Sequence, residues 1–126
     1  EDCDAWIHGP VFKDIYLKYK YYRYESINEV ITGTCLQGKL SETEKMIVDN
    51  IIKHLGCYSG KILERFTHSE TPWLKTRGNL FPNENTNKII DKDLIAEYFI
   101  EVVKKYNMVN PSDIGEYSRR MFCYLN

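Results

Sequence analysis

The chain has 126 residues, 43% hydrophobic and 28% charged, which suits one domain around a single core and not a disordered segment. Seventeen basic against eighteen acidic residues leave a net charge of -1, so the basic excess of many nucleic-acid binders is missing. No apolar run approaches the ~20 residues of a membrane span, and no signal-peptide pattern is present. Cys3, Cys35, Cys57 and Cys123 stand far apart without a CxxC pair. That spacing reads as reduced thiols in a cytoplasmic protein, not as a disulfide framework.

Residues 1–10 read as extended or looped. Gly9-Pro10 is a breaker, and Pro10 suits a helix start because its missing N–H costs nothing there. Phe12, Ile15, Tyr16, Tyr19 and Tyr22 then recur at helical spacing, predicting a helix from Val11 to about Tyr22 with Ile15, Tyr19 and Tyr22 inward. Residues 24–40 contain Gly33 and Gly38 and have no clear period. A weak alternation around Ile27, Val30 and Ile31 allows a short hairpin within a long connection.

Ser41-Glu42-Thr43-Glu44 is a capping box. The helix after it carries Ile47, Val48, Ile51, Ile52 and Leu55 on one face, and Gly56 stands where a left-handed stop is wanted. Ser59 caps a further helix with Ile62, Leu63 and Phe66 inward. Thr71 as N-cap and Pro72 at the first helical position restart the chain, and Gly78 ends that short helix. Residues 78–88 are polar and turn-rich. Asp91 or a neighbour caps the last long helix, whose stripe is Leu94, Ile95, Tyr98, Phe99, Val102 and Val103. Asn110-Pro111-Ser112 opens a final segment to Leu125. The expectation is a mainly α, compact single-domain bundle spanning 1–126, with about five or six short helices and at most a minor β-hairpin.

Few residues suggest chemistry. His54 and Cys57 make an HxxC, half of a zinc site, but a structural zinc needs four ligands and the other histidines and cysteines lack paired spacing. A helix-end histidine beside a buried thiol is the plainer reading. No GxSxG, phosphate-cradling glycine loop or HExxH is present. No enzyme, metal or cofactor is therefore expected. The run Lys18-Tyr19-Lys20-Tyr21-Tyr22-Arg23-Tyr24 could stack on bases and meet phosphates. Its periodicity favours an amphipathic helix whose rim (Lys20, Tyr21, Arg23 and Tyr24) faces solvent or a protein partner. In Phe66–Trp73 (FTHSETPW), His68 falls in the last turn of its helix, where a positive or hydrogen-bonding group is welcome. Glu70 lies beside the next helix start, and Trp73 pins the corner. A hydrolase or nuclease using His68 and Glu70 is the catalytic alternative.

Two blocks resemble the Panacea domain family. Ala5-Trp6-Ile7-His8-Gly9-Pro10-Val11 followed by Tyr16 is similar to its AWxxGPV…Y signature. Leu63 to Trp73, with Thr67, His68, Glu70, Pro72 and Trp73, is similar to its LTHxExPW block. The capping-box helix lies between them and a terminal helix follows, so the resemblance covers about residues 1–105, with 106–126 as a C-terminal extension. It implies a bacterial or prophage protein of the SocA-like antitoxin and GepA-like phage-associated group, binding and neutralising a cognate protein toxin. One SocA-type member is an adaptor that delivers its toxin to the ClpXP protease. It implies no catalytic residues, so Trp6, Gly9, Pro10, Tyr16, Thr67, His68, Glu70, Pro72 and Trp73 are expected to define the fold. The family usually carries a further helix or two before the AW motif, which are expected to be missing here. The alternative function is a prophage-associated regulator linked to nucleic acid.

Overall fold

The computed structural model describes residues 1–23, 25–26 and 40–126. Tyr24, Cys35 and most of the connection expected at 24–40, with its short hairpin, lie outside the described residues. A hairpin does form, but earlier. β1 (Cys3–Trp6) pairs antiparallel with β2 (Gly9–Phe12), Trp6 opposite Gly9 and Cys3 opposite Phe12. Pro10 sits in β2 opposite Ala5 and does not open a helix. The Ala5 N–H turns the other way, to the Lys88 carbonyl at 2.9 Å. The Ala5–Pro10 pair is thus one that exchanges no hydrogen bonds, and the missing proline N–H is not needed there. The Ile90 N–H meets the Cys3 carbonyl at 2.8 Å, so residues 88–90 cover the second edge of β1.

The helices follow in chain order: α1 (Lys13–Tyr19), α2 (Glu42–Leu55), α3 (Gly60–Ser69), α4 (Thr71–Arg77), α5 (Lys92–Lys105) and α6 (Ile114–Leu125). Short 3-10 turns follow α1 at Lys20–Tyr22 and precede α6 at Pro111–Asp113. The mainly α bundle with one small hairpin is as expected. Among the described residues no helix is long and apolar enough to cross a membrane.

Local signals set most ends. Both halves of the Ser41–Glu44 capping box form, Ser59 accepts from the Ile62 N–H, and the Asp91 carboxylate accepts from the Asp93 N–H. Two ends differ from expectation. Gly56 closes α2 with a right-handed φ of -66°. The chain leaves instead through a tighter turn in which the Tyr58 N–H meets the Leu55 carbonyl at 3.1 Å. The N-cap of α4 is Glu70 and not Thr71, and no side chain caps it. The Glu70 carboxylate is engaged elsewhere, with Tyr117.

The core is small. Cys3, Ala5, Trp73 and Ile90 are buried together, with Ile95 packed against them. Phe66 is buried under Tyr58, which stacks on Phe122 of α6 with ring centres 5.3 Å apart. Two apolar stripes are less buried than their periodicity suggests. Ile15 is 56% exposed and α1 buries no residue, because α1 packs on the hairpin and its own 3-10 turn. α2 also buries none. It leans on α6, where Gly115 lets the His54 ring approach so closely that a Cβ would sit 2.8 Å from Nδ1.

Candidate functional site

The two motif blocks close on one another. The Trp73 indole N–H donates to the Trp6 carbonyl at 2.9 Å, which ties the first helical turn of α4 to the hairpin tip. Trp6 in turn meets the edge of Tyr16 at 5.0 Å, and Tyr16 anchors α1. Gly9 is buried with φ +121°, a region that side chains avoid, and a Cβ there would lie 2.9 Å from the Thr67 hydroxyl. Pro72 is buried at the start of α4. With His68, seven of the nine motif residues have an internal contact or a buried seat in this corner. Pro10 is exposed and shapes the strand, and Glu70 turns to α6.

His68 lies flat on Trp73, ring centres 4.0 Å apart at 14°. One ring nitrogen bonds the Ile7 backbone, and burial holds the imidazole below its ordinary pKa. Its Nε2 is buried without a hydrogen bond and lies 3.9 Å from the Glu64 carboxylate. Glu64 itself pairs with His8 Nδ1 at 3.0 Å. His68 therefore serves as a neutral, stacked, hydrogen-bonding ring, and the positive helix-end role is not the one it takes. The Arg77 guanidinium lies 5.0 Å from the centre of the Trp73 ring. It is almost fully buried and grips the carbonyls of Ala5, Phe81 and Glu84 at 3.1, 3.0 and 2.6 Å. The fork of Arg77 thereby fastens strand, helix and loop.

Glu70 faces away from this stack. Its carboxylate accepts from the Tyr117 hydroxyl at 2.5 Å, and the Tyr98 hydroxyl lies 3.3 Å from that of Tyr117. Burial raises the Glu70 pKa and, with the neighbouring Glu70 charge, pushes the Tyr117 hydroxyl far up. Tyr98 and Tyr117 line a cleft of about 210 Å³ between α5 and α6, with Val102, Lys105, Tyr106 and Met121. No hydrogen bond or ion pair joins His68 to Glu70. The pair is split between two packing jobs, His68 on Trp73 and Glu70 on Tyr117.

The remaining candidates are scattered. Among the described residues no three His, Cys, Asp or Glu side chains gather as a metal cluster. Cys57 is exposed and not the buried thiol expected. Its Sγ bonds the His54 carbonyl at 3.6 Å, while the His54 ring packs on α6. Cys3, Cys57 and Cys123 carry free thiols. In the rim, Lys20 Nζ lies 5.1 Å from the Tyr21 ring centre, and Tyr21 is 79% exposed. Arg23 follows with φ +50°. Tyr24 lies outside the described residues. Sequence reasoning missed Arg77 and Tyr117 and read Tyr98 only as part of an apolar stripe, because their partners are set by tertiary contacts; Glu70 and Tyr117 stand 47 positions apart. A lone Arg before a helix-ending Gly was the only local hint of Arg77.

Residues 1–74 match the family described as Antitoxin SocA-like, Panacea domain. This chain belongs to that family. The matched span ends one residue after Trp73, so it contains both motif blocks and the contacts that close them. Comparison with curated proteins and with solved structures finds no match. In this Panacea domain Trp6, Gly9, Thr67, His68 and Trp73 lock the hairpin to the helix corner.

Proposed function

We propose that this Panacea domain is an antitoxin that binds and neutralises a cognate protein toxin in the cytoplasm, without catalysing a reaction. The family match over residues 1–74 carries the reading. Two features support it. The motif histidine and glutamate are engaged in stacking and hydrogen bonding that hold the corner together. The rim that follows α1 presents an exposed tyrosine and cations, and tyrosine and arginine are enriched where proteins bind one another. Delivery of the toxin to a ClpXP-type protease is the adaptor form of the same function.

Co-expression with the product of the adjacent open reading frame tests it. That product alone should stop growth, and this chain should restore growth and co-purify with it. A harmless neighbour, or rescue without a complex, refutes the proposal. In the adaptor form the toxin's half-life shortens only when both this chain and the protease are present. His68→Ala and Glu70→Ala variants that still fold should still neutralise. Loss of activity from such folded variants would instead favour a hydrolase or nuclease. The exposed cations of the rim favour one second reading, a prophage-associated regulator linked to nucleic acid. Retention on promoter or single-stranded DNA that weakens steeply with salt would support it, because released counterions drive such binding.

A further inference from the structure

Lys13, Lys45, Lys92, Lys104, Arg119 and Arg120 each meet a carboxylate within 4 Å. Lys20 and Arg23 meet none among the described residues, as is also true of Lys18, Lys53, Lys61, Lys75, Lys88 and Lys105; what sets the two apart is their place. These two cations line one open groove at the edge of the fold, together with Tyr16 and Tyr19. The groove wall is held in place from beneath, because Tyr16 packs against Trp6 of the hairpin at 5.0 Å and Tyr19 against Tyr22 at 6.3 Å. Lys20 stands over the exposed Tyr21 ring, and Ile15 and Leu17 are more than half exposed nearby in the chain.

We infer that this groove is a carboxylate notch, and that the face of the toxin docking on α1 is acidic and inserts an Asp or Glu side chain between Lys20 and Arg23. The inference rests on the antitoxin reading and adds the docking site and the partner chemistry to it. An Arg fork matches a carboxylate in two parallel hydrogen bonds. Lys20 supplies a second positive charge, and the tyrosine hydroxyls can donate to the same anion. Exposed Tyr21, Ile15 and Leu17 supply the apolar and aromatic area that a protein interface needs around a charged centre. Nucleic acid fits less well. A duplex binder typically neutralises about six to ten phosphates along a track of cations, whereas two cations line this groove and the exposed Ile15 and Leu17 belong to the same helix as its tyrosines.

The test uses the purified product of the adjacent open reading frame as probe and a Lys20→Glu/Arg23→Glu variant of the whole chain. Binding should weaken about 100-fold, mostly through slower association, as expected when complementary charges are reversed. The variant's circular dichroism and melting point should match the parent, since neither side chain is buried. Lys20→Arg should bind as the parent does, because it keeps the charge. If the double variant does not fold, Lys20→Gln/Arg23→Gln replaces it, with a loss of about 10-fold expected from the same electrostatic term. If the parent binds the probe and the folded variants bind equally well, the notch is overturned while the antitoxin reading stands. If the parent binds no toxin, both fall. Retention of the parent on a single-stranded DNA probe, lost in the double variant and without toxin binding, overturns the notch in favour of nucleic acid.

Discussion

Replacing Gly9 by alanine should destabilise the chain by about 3–4 kcal/mol, through two separable effects. At φ +121° an L side chain is strained by about 1–3 kcal/mol. The new Cβ would also stand 2.9 Å from the Thr67 Oγ1, an overlap worth about 1–3 kcal/mol in a packed corner. For a domain of this size the sum corresponds to a fall in melting temperature of about 10–15 °C. The two effects come apart in a Thr67→Ala background. Removing Oγ1 leaves the Thr67 Cβ at 3.9 Å as the nearest neighbour, an ordinary contact. Thr67→Ala alone should cost about 1 kcal/mol, because its hydroxyl bonds the Glu64 carbonyl at 3.0 Å. In that background Gly9→Ala should cost only the backbone strain, giving a favourable coupling of about 1–2 kcal/mol. Urea unfolding of the four proteins of the cycle measures it. A Gly9→Ala cost below about 1 kcal/mol, against the strain expected at such a φ, or a coupling indistinguishable from zero, would refute this account of how the blocks meet.

Stability should fall as pH drops below about 6.5, the ordinary value for histidine, because the partly buried His68 resists protonation in the fold while the unfolded chain takes up the proton. Glu64, His8 and Arg77 face the same ring, and a His68→Phe variant, which keeps a ring on Trp73, should flatten that slope in pH-dependent urea melts. An unchanged slope removes the assignment. Glu70 has the opposite sign. Its raised pKa means that the folded form holds a proton the unfolded form has released, so its contribution declines as pH rises above 4.5. Glu70→Gln keeps an acceptor for Tyr117 without the buried charge and should melt at or above the parent temperature at pH 7, whereas Tyr117→Phe should lose about 1–3 kcal/mol by stripping the Glu70 carboxylate of its donor. Arg77→Lys should cost about 2–4 kcal/mol in chemical unfolding, since one ammonium cannot reach the three carbonyls the fork holds; a loss under about 1 kcal/mol, the size of one ordinary hydrogen bond, contradicts that role.

The places where sequence and structure diverge share a cause. Ser41, Ser59 and Asp91 were legible as caps because a cap bonds to an N–H two or three residues away. Pro10 was misleading because its tolerance in β2 depends on which way the Ala5 N–H points, and residue 88 decides that. Glu70 was placed one position off as a helix-start anion because its hydroxyl partner lies in α6. Ile15 carries the period of a buried position, but periodicity records a face and not whether anything covers it.

Local chemistry in the sequence therefore determined the helices after residue 40, the starts of α2, α3 and α5, the polar loop at 78–88 and, through two motif blocks, the family. Those features depend on neighbours within about one helical turn, the range of capping and side-chain spacing. Tertiary structure alone decided that the blocks lock together, with Trp73 on Trp6, His68 on Trp73 and Gly9 against Thr67. It also decided that Arg77 is buried and that Lys20 and Arg23 share one groove, with no carboxylate among its described lining residues. These follow from contacts between residues far apart in the chain, and no local pattern encodes which distant group will occupy the other side.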